Sequence, residues 1–295
     1  MTPAQDPAGK PLPLETLYDG SMGTALPLPP ELVDFYGTLR FPSREGKPYV
    51  LANLVTSLDG VVSLGVEGKS GGKEISGSNV QDRALMGVVR AAADAVVVGA
   101  GTLRDGKGSP LTAASVYPPM KAAYASFRRA LGKEETPLAV IVTSSGDLDP
   151  SLPLFHREQD VLVVTTPKGA RHLRKLDLPS RVTVTEAPAP SAHKKATIPA
   201  QFVLDAIAQV RACDLVLVEG GPHLLGDFLA EKLIDEQFLT LSPQLVGRDD
   251  SSHELHLVEG HTFAPADPLW CKLGVVKRCE SHLFLRYMFG NDLAD

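Results

Sequence analysis

The feature that most constrains the fold of this chain is a series of short, continuously apolar runs. A strand with one face in water alternates apolar and polar residues, so unbroken runs predict strands that are covered on both faces. Helical patterns separate or follow these runs, and this alternation predicts a largely parallel sheet between layers of helices. The five runs are Tyr49–Val55, Asp94–Gly99, Leu138–Thr143, Asp160–Thr165 and Asp214–Glu219. The predicted helices are Val80–Ala93, Met120–Leu131, Pro167–Leu176, Pro199–Ala212 and Pro222–Leu233.

The two ends of the chain depart from this pattern. The segments Trp270–Arg278 and Ser281–Phe289 predict an antiparallel hairpin, which makes the expected α/β sheet mixed. Residues 1–47 are rich in proline, which interrupts regular structure, so we expect an arm that is only partly ordered. The expected organisation is this arm followed by one domain, residues 48–295.

Composition limits the ligands of such a protein. The formal net charge of −6 does not favour binding to nucleic acid or to an anionic membrane. The three cysteines lack C-x-x-C spacing and the histidines lack H-E-x-x-H spacing, so we expect neither a disulfide framework nor a metal site. The N-terminus has no export signal, and no run of 18 apolar residues occurs. These features favour a cytoplasmic protein that acts on a small molecule.

A pair of glycines follows the last apolar run. Glu219 ends the run, Gly220 and Gly221 come next, and Pro222 stands where a helix can begin without losing a hydrogen bond. A helix start of this kind directs free N–H groups toward an anion, so the segment is a candidate phosphate site. The alternative for this segment alone is a turn that needs only the flexibility of glycine.

Two other runs also end in small or hydroxyl-bearing residues. One continues as Gly99-Ala100-Gly101-Thr102, which opens like a dinucleotide fingerprint but has Arg104 where the third glycine would stand. Another ends in Thr143-Ser144-Ser145-Gly146, whose hydroxyl groups can bond a phosphate, although such loops are often plain turns. The carboxyl ends of parallel strands share one edge of a sheet, so we expect these loops to converge on one pyrophosphate.

Two carboxylates stand at the ends of buried runs. Asp59 lies in the turn Ser57-Leu58-Asp59-Gly60 after the first run, and Glu219 ends the last. A carboxylate at such an edge can relay a proton or bind hydroxyl groups. Aspartate before glycine is also an ordinary turn residue, so the role of Asp59 stays open.

Four motifs, in this order, resemble the reductase domain of bacterial riboflavin biosynthesis, a relative of dihydrofolate reductase. They are S-L-D-G from Ser57, R-A-x-A-D-A-V-V-V-G-A-G-T from Arg90, V-E-G-G-P-x-L with L-I-D-E from Val218, and L-S-P-Q-L-V-G from Leu241. The likeness extends from about residue 48 to residue 289. It implies a dihydrofolate reductase-like three-layer fold, NADPH as the cofactor and a homodimer. It also implies reduction of 5-amino-6-(5-phosphoribosylamino)uracil at the ribose C1′.

The resemblance further implies roles for individual residues. NADPH would contact Val55, Gly99, Gly101, Thr102, Ser144, Gly220, Gly221, Pro222, His223, Leu224 and Leu225. The phosphorylated pyrimidine would contact Asn53, Ser70, Arg90, Leu111 and Glu219. Asp59 and Glu219 would be the catalytic carboxylates. Hydride transfer depends mainly on positioning, so these contacts matter more than any single acid.

The sequence also departs from the family pattern. Asn53 stands where these reductases usually carry lysine, and its amide supplies neither the charge nor the proton of an ammonium group. The stretch Leu103–Ser115 lacks the arginine that usually helps to seat the substrate phosphate. The printed sequence also lacks the H-x-E and P-C-x-x-C signature of a zinc deaminase. Two other functions therefore stay open: a related reductase of another pterin or pyrimidine, and a noncatalytic NADPH-binding protein.

Overall fold

The computed structural model describes residues 9–66, 71–188, 198–249 and 253–290. Its strands are β1 (Glu15–Asp19), β2 (Thr24–Ala25), β3 (Arg40–Phe41), β4 (Tyr49–Thr56), β5 (Val61–Ser63), β6 (Ala95–Gly99), β7 (Leu138–Thr143), β8 (Val161–Thr165), β9 (Val182–Glu186), β10 (Leu215–Val218), β11 (Glu236–Leu241), β12 (Leu255–His256), β13 (Lys272–Cys279) and β14 (His282–Met288). Its α-helices are α1 (Pro30–Tyr36), α2 (Gly72–Ile75), α3 (Val80–Ala92), α4 (Ala100–Asp105), α5 (Ala113–Val116), α6 (Lys121–Ala130), α7 (Pro167–Leu173), α8 (Ala200–Val210) and α9 (Pro222–Ala230).

In the described part of the chain, ten strands form one mixed sheet. Their order is β1-β13-β14-β11-β4-β10-β6-β7-β8-β9. All neighbours from β11 to β9 are parallel. The remaining neighbours, which include the predicted hairpin of β13 and β14, are antiparallel. The predicted mixed and mostly parallel sheet is therefore confirmed.

Strands β4, β6, β7, β8 and β10 send alternate residues into two separate cores. On one face Leu51 and Leu217 pack in the core that also contains residues of α3 and α6. On the other face Val50 and Val216 pack in the core that contains residues of α8 and α9. The strands read as unbroken apolar runs because both of their faces are buried. Among the described residues, no helix has the length and apolar composition needed to cross a membrane.

The order of the central strands positions the candidate site. Strand β10 lies between β4 and β6, although both come much earlier in the chain. The chain therefore runs outward from β6 to β9 and then returns to the centre of the sheet. In sheets of this type, ligands bind at the carboxyl edge where the connections diverge. The carboxyl ends of β4, β6 and β10 meet at that point.

The described part of the arm belongs to the same core as the rest of the chain. Strand β1 pairs with β13 at the edge of the sheet, and Leu32, Phe35 and Tyr36 of α1 are buried. The buried guanidinium of Arg286 donates one hydrogen bond to the carbonyl of Arg40 at 2.9 Å. Residues 9–47 of the arm pack against the sheet through the apolar pieces that lie between the prolines.

We predict that Leu32→Ala lowers the free energy of unfolding by about 2–5 kcal/mol, because it opens a cavity in the shared core. Val33→Ala is the matched control, since Val33 is the next residue of α1 and is 47% exposed. We expect this control to change stability by less than about 0.5 kcal/mol. Urea unfolding followed by circular dichroism measures both values, and equal small effects would contradict the packing of the arm.

Candidate active site

Backbone hydrogen bonds connect the carboxyl ends of β6 and β10. The N–H of Gly99 donates to the carbonyl of Gly220 at 2.8 Å, and the N–H of Glu219 donates to the carbonyl of Val97 at 2.9 Å. A Cβ atom placed on Gly99 would lie 3.6 Å from the amide nitrogen of Gly221. The peptide bond between Gly220 and Gly221 is cis. Glycine at these positions lets two loops approach each other closely.

Two helices begin at this junction, and glycine is the N-cap of both. Gly99 precedes α4, and Gly221 precedes α9, whose first residue is Pro222. Neither glycine has a side chain to bond the N–H groups of the first turn, so those groups remain available to a ligand. A Cβ atom on Gly101 would meet no protein atom within 4 Å, so there is open space in front of α4. The junction therefore presents free N–H groups beside open space, an arrangement that can bind an anion.

The other predicted cofactor residues lie along the same edge. Thr102 is close to the junction, because a Cβ atom on Gly221 would lie 3.3 Å from its Oγ1 atom. Ser144 is exposed just beyond β7, and its carbonyl accepts a 2.6 Å hydrogen bond from Thr166. Val55 is near the end of β4. His223, Leu224 and Leu225 form the first turn of α9, where Leu224 and Leu225 are buried.

Arg90 and Glu219 form a buried ion pair beside this junction. The Nε of Arg90 donates to both carboxylate oxygens of Glu219, at 2.9 and 3.1 Å, and its Nη2 donates to Oε2 at 2.7 Å. The Arg90 and Glu219 side chains are only 8% and 2% exposed. Arg90 carries a full charge, yet it is buried because the carboxylate compensates that charge.

The same guanidinium holds the loop that follows α4. Its Nη1 donates to the carbonyl of Thr112 at 3.2 Å. The side chain of Leu111 is buried in the core, and its N–H donates to Oε1 of Gln159 at 2.9 Å. The structure brings Arg90, Glu219 and Leu111 together, and it engages Arg90 and the Leu111 N–H in contacts within the protein.

Asp59 is bound to the backbone of a neighbouring loop. Its carboxylate accepts hydrogen bonds from the hydroxyl of Ser57 at 2.6 Å and from the N–H of Gly247 at 2.8 Å, with longer bonds from Val246. These hydrogen bonds, led by that of Ser57, lower the pKa of Asp59 to about 2. An exposed carboxylate that is ionised near neutral pH has no proton to donate. The geometry favours a turn role for Asp59 over the predicted proton relay.

A polar cluster lies on the α3 side of the carboxyl edge; we define it as Asn53, Asp82, Glu219 and Thr240. Asn53 faces the same side of β4 as Leu51, and Glu219 comes next to it because the preceding Val218 pairs with Ala52. Thr240 lies two residues beyond Phe238, which pairs with Asn53. Asp82 reaches Thr240 from the first turn of α3. Ser70 lies outside the described residues.

Sequence reasoning missed Asp82. It is the third residue of α3, where an acid is ordinary, and its N–H donates to the Oδ1 of the N-cap Asn79 at 2.9 Å. Burial raises the pKa of the Asp82 carboxyl to about 6, against hydrogen bonds from Thr240 and Ser76 and the charge of Arg83. No sequence motif marks this residue, since its surroundings come from β10 and β11.

The fold and the glycine-lined edge place the chain in the dihydrofolate reductase-like fold class. Within this class, residues 48–264 match the model of the RibD C-terminal domain. The chain belongs to the RibD C-terminal domain family. The family assignment and the fold class implied by the sequence motifs are thus confirmed.

Individual relatives agree with this assignment. The chain is 26% identical over 207 residues to the 2,5-diamino-6-ribosylamino-4(3H)-pyrimidinone 5′-phosphate reductase of Archaeoglobus fulgidus, which covers 70% of this chain and 84% of that protein. It is 29% identical over 140 residues to the riboflavin biosynthesis protein RibD of Chlamydia pneumoniae, covering 46% of this chain but only 34% of that protein. The solved structure of a pyrimidine reductase-like protein from Corynebacterium diphtheriae superposes with a TM-score of 0.65 at 25% identity, covering 83% of this chain and 93% of that one.

We predict that Arg90→Met lowers the free energy of unfolding by about 3–5 kcal/mol, because it leaves the carboxylate of Glu219 buried without a partner. Arg174→Met is the control, since the Arg174 side chain is 68% exposed in its ion pair with Glu186. This control substitution is expected to lower the free energy of unfolding by less than about 1 kcal/mol. Chemical denaturation at neutral pH gives both numbers, and a stable Arg90→Met protein would show that the pair does not hold the site together.

Proposed function

We propose that this chain is an NADPH-dependent reductase of riboflavin biosynthesis that reduces a phosphorylated ribosylaminopyrimidine at the ribose C1′. The observation that carries the proposal is the junction of Gly99 with Gly220, where two helices without side-chain caps begin beside the polar cluster. The family match and the names of the relatives support a reductase over a noncatalytic nucleotide-binding protein.

The residues of the junction would hold the cofactor. The first-turn N–H groups of α4 and α9 would bind the pyrophosphate, and the exposed hydroxyl of Ser144 would reach the nucleotide from β7. When bound, NADPH supplies the hydride. Arg90 orients Glu219, and Glu219 and Asn53 stand where hydroxyl groups of the ribose chain can be bound. The contribution of these residues is to position the acceptor carbon.

Two substrates fit this proposal. The sequence motifs favour 5-amino-6-(5-phosphoribosylamino)uracil. The relative from Archaeoglobus fulgidus is named for 2,5-diamino-6-ribosylamino-4(3H)-pyrimidinone 5′-phosphate, which carries an amino group in place of the carbonyl oxygen at C2. The purified protein is to be assayed with NADPH and each compound, following absorbance at 340 nm. Turnover of either pyrimidine supports the proposal, whereas turnover of a dihydropterin alone contradicts it.

We further propose a cytoplasmic homodimer. Strand β1 lies at one edge of the sheet, and it exposes Leu17 and Tyr18, each about half accessible. An unpaired edge strand with apolar side chains is a surface that a second copy can cover. Light scattering coupled to gel filtration measures the mass, and a monomer at all concentrations contradicts the dimer.

We predict that Gly101→Val weakens NADPH binding by at least about tenfold, because its side chain would occupy the space proposed for the pyrophosphate. The folded protein has room for this side chain, since no protein atom lies within 4 Å of the Cβ position. The melting temperature is therefore the internal control and is expected to stay close to that of the wild type. Titration calorimetry measures the affinity; unchanged affinity in a folded variant would place the pyrophosphate elsewhere.

A further inference from the structure

We propose that Asp82 is the proton donor of the reaction, acting as a general acid on the substrate nitrogen while C1′ accepts the hydride. This inference rests on the proposed function. It arises from the polar cluster, in which the carboxyl group of Asp82 on α3 interacts with Thr240 of β11 and feels the charge of Glu219, the residue after β10.

The chemistry of the reduction requires a proton. In its ring-opened form the ribosylamine is an imine, with a double bond between C1′ and the nitrogen on the pyrimidine. A new C–H bond forms at C1′ with the incoming hydride, the π bond of C1′=N breaks, and its electron pair takes a proton on nitrogen. The product is the ribitylamine, the donor is left as a carboxylate, and water returns the lost proton. A positioned general acid typically raises the reaction rate by roughly 10²- to 10⁴-fold, and we expect an effect of this order here.

Three other polar groups of the site are poorly suited to supply this proton. The Glu219 carboxylate is bonded through both oxygens to Arg90. Asp59 has a pKa of about 2 and binds a backbone loop. The amide of Asn53 does not donate a proton to a base at neutral pH. Asp82 is the remaining carboxyl group of the cluster among the residues that the structure describes.

The surroundings of Asp82 suit a general acid. Burial is the largest effect on its carboxyl group, and it raises the pKa to about 6; nearby Glu219 acts in the same direction. Arg83 on the same helix and the hydroxyl groups of Thr240 and Ser76 oppose this shift. The carboxyl group is buried, although the residue as a whole is half-buried at the start of α3. An acid of this strength retains a protonated fraction near neutral pH and transfers its proton readily.

The main test compares Asp82→Asn with wild type. The amide is similar in size and can keep the contacts with Thr240 and Ser76, so we expect normal NADPH affinity by calorimetry and a kcat at least about 100-fold lower. Asp205→Asn is the control, since Asp205 is exposed on α8, on the other face of the sheet. This control is expected to leave kcat unchanged.

The pH dependence separates a proton donor from a residue that only stabilises the helix start. The wild-type kcat is expected to fall as pH rises above about 6, because the protonated carboxyl is the active form, and Asp82→Asn should lack this limb. Thr240→Val removes a hydrogen bond that favours the carboxylate, so it should move the limb to higher pH. If Asp82 only stabilised the start of the helix, neither Asp82→Asn nor Thr240→Val would change the pH dependence of kcat.

Stability gives a readout that is independent of activity. The pKa of Asp82 in the folded protein, about 6, is higher than the ordinary value of 3.8. The stability contributed by its protonated form is therefore present below pH 3.8 and lost as pH rises through 6. The free energy of unfolding of wild type, relative to Asp82→Asn, should decline over this interval.

The outcomes distinguish this inference from the proposed function. If wild type reduces a pyrimidine, and folded Asp82→Asn does so at the same rate with the same pH profile, the role of Asp82 is wrong while the proposed function stands. If Asp82→Asn does not fold, an unshifted limb in Thr240→Val overturns the inference. If wild type reduces neither pyrimidine at any pH, the proposed function and the inference both fail.

Discussion

The ion pair between Arg90 and Glu219 is the interaction on which the geometry of the site depends. It joins α3 to the end of β10, and the same guanidinium binds the carbonyl of Thr112. Each buried charge costs several kcal/mol of lost hydration, which only close and well-directed bonds can offset. Glu219 immediately precedes Gly220, so the pair also determines where the glycine loop leaves the sheet. The cofactor junction and the polar cluster thus share one anchor.

The parts of the fold that depend on local sequence could be predicted. Strands β4 and β10 are buried on both faces, and burial of this kind is predicted by an unbroken apolar run in the sequence. Strand β11 was not predicted, because it contains Glu236, Gln237 and Thr240. Glu236 is buried only because Arg286, far away in the chain, donates hydrogen bonds of 2.6 and 2.9 Å to it. A core strand that contains a charged residue can be predicted only when the partner of that charge is known.

The same distinction between local and long-range contacts applies to the candidate site. The meeting of Gly99 with Gly220 and Gly221 at one edge could be predicted, since the carboxyl ends of parallel strands share one edge of the sheet. The contacts of Arg90 and Asp82 could not, because each depends on strands brought beside α3 by the fold. A basic residue and an acidic residue on a helix look like solvated positions until β10 and β11 are placed under them. The resemblance to a family supplied Arg90, but no motif supplied Asp82.

Asn53 and the weakly acidic Asp82 both belong to the polar cluster around Glu219. An ammonium group at position 53 would stand next to Glu219, within the same polar cluster as Asp82. A cation there would favour the ionised carboxylate and hold the pKa of Asp82 low. Asn53 contributes no charge, and burial, the largest effect on the Asp82 carboxyl, keeps the proton on Asp82 to higher pH. In this chain, the loss of one proton-bearing cation is therefore the condition under which a neighbouring carboxyl group can act as the acid.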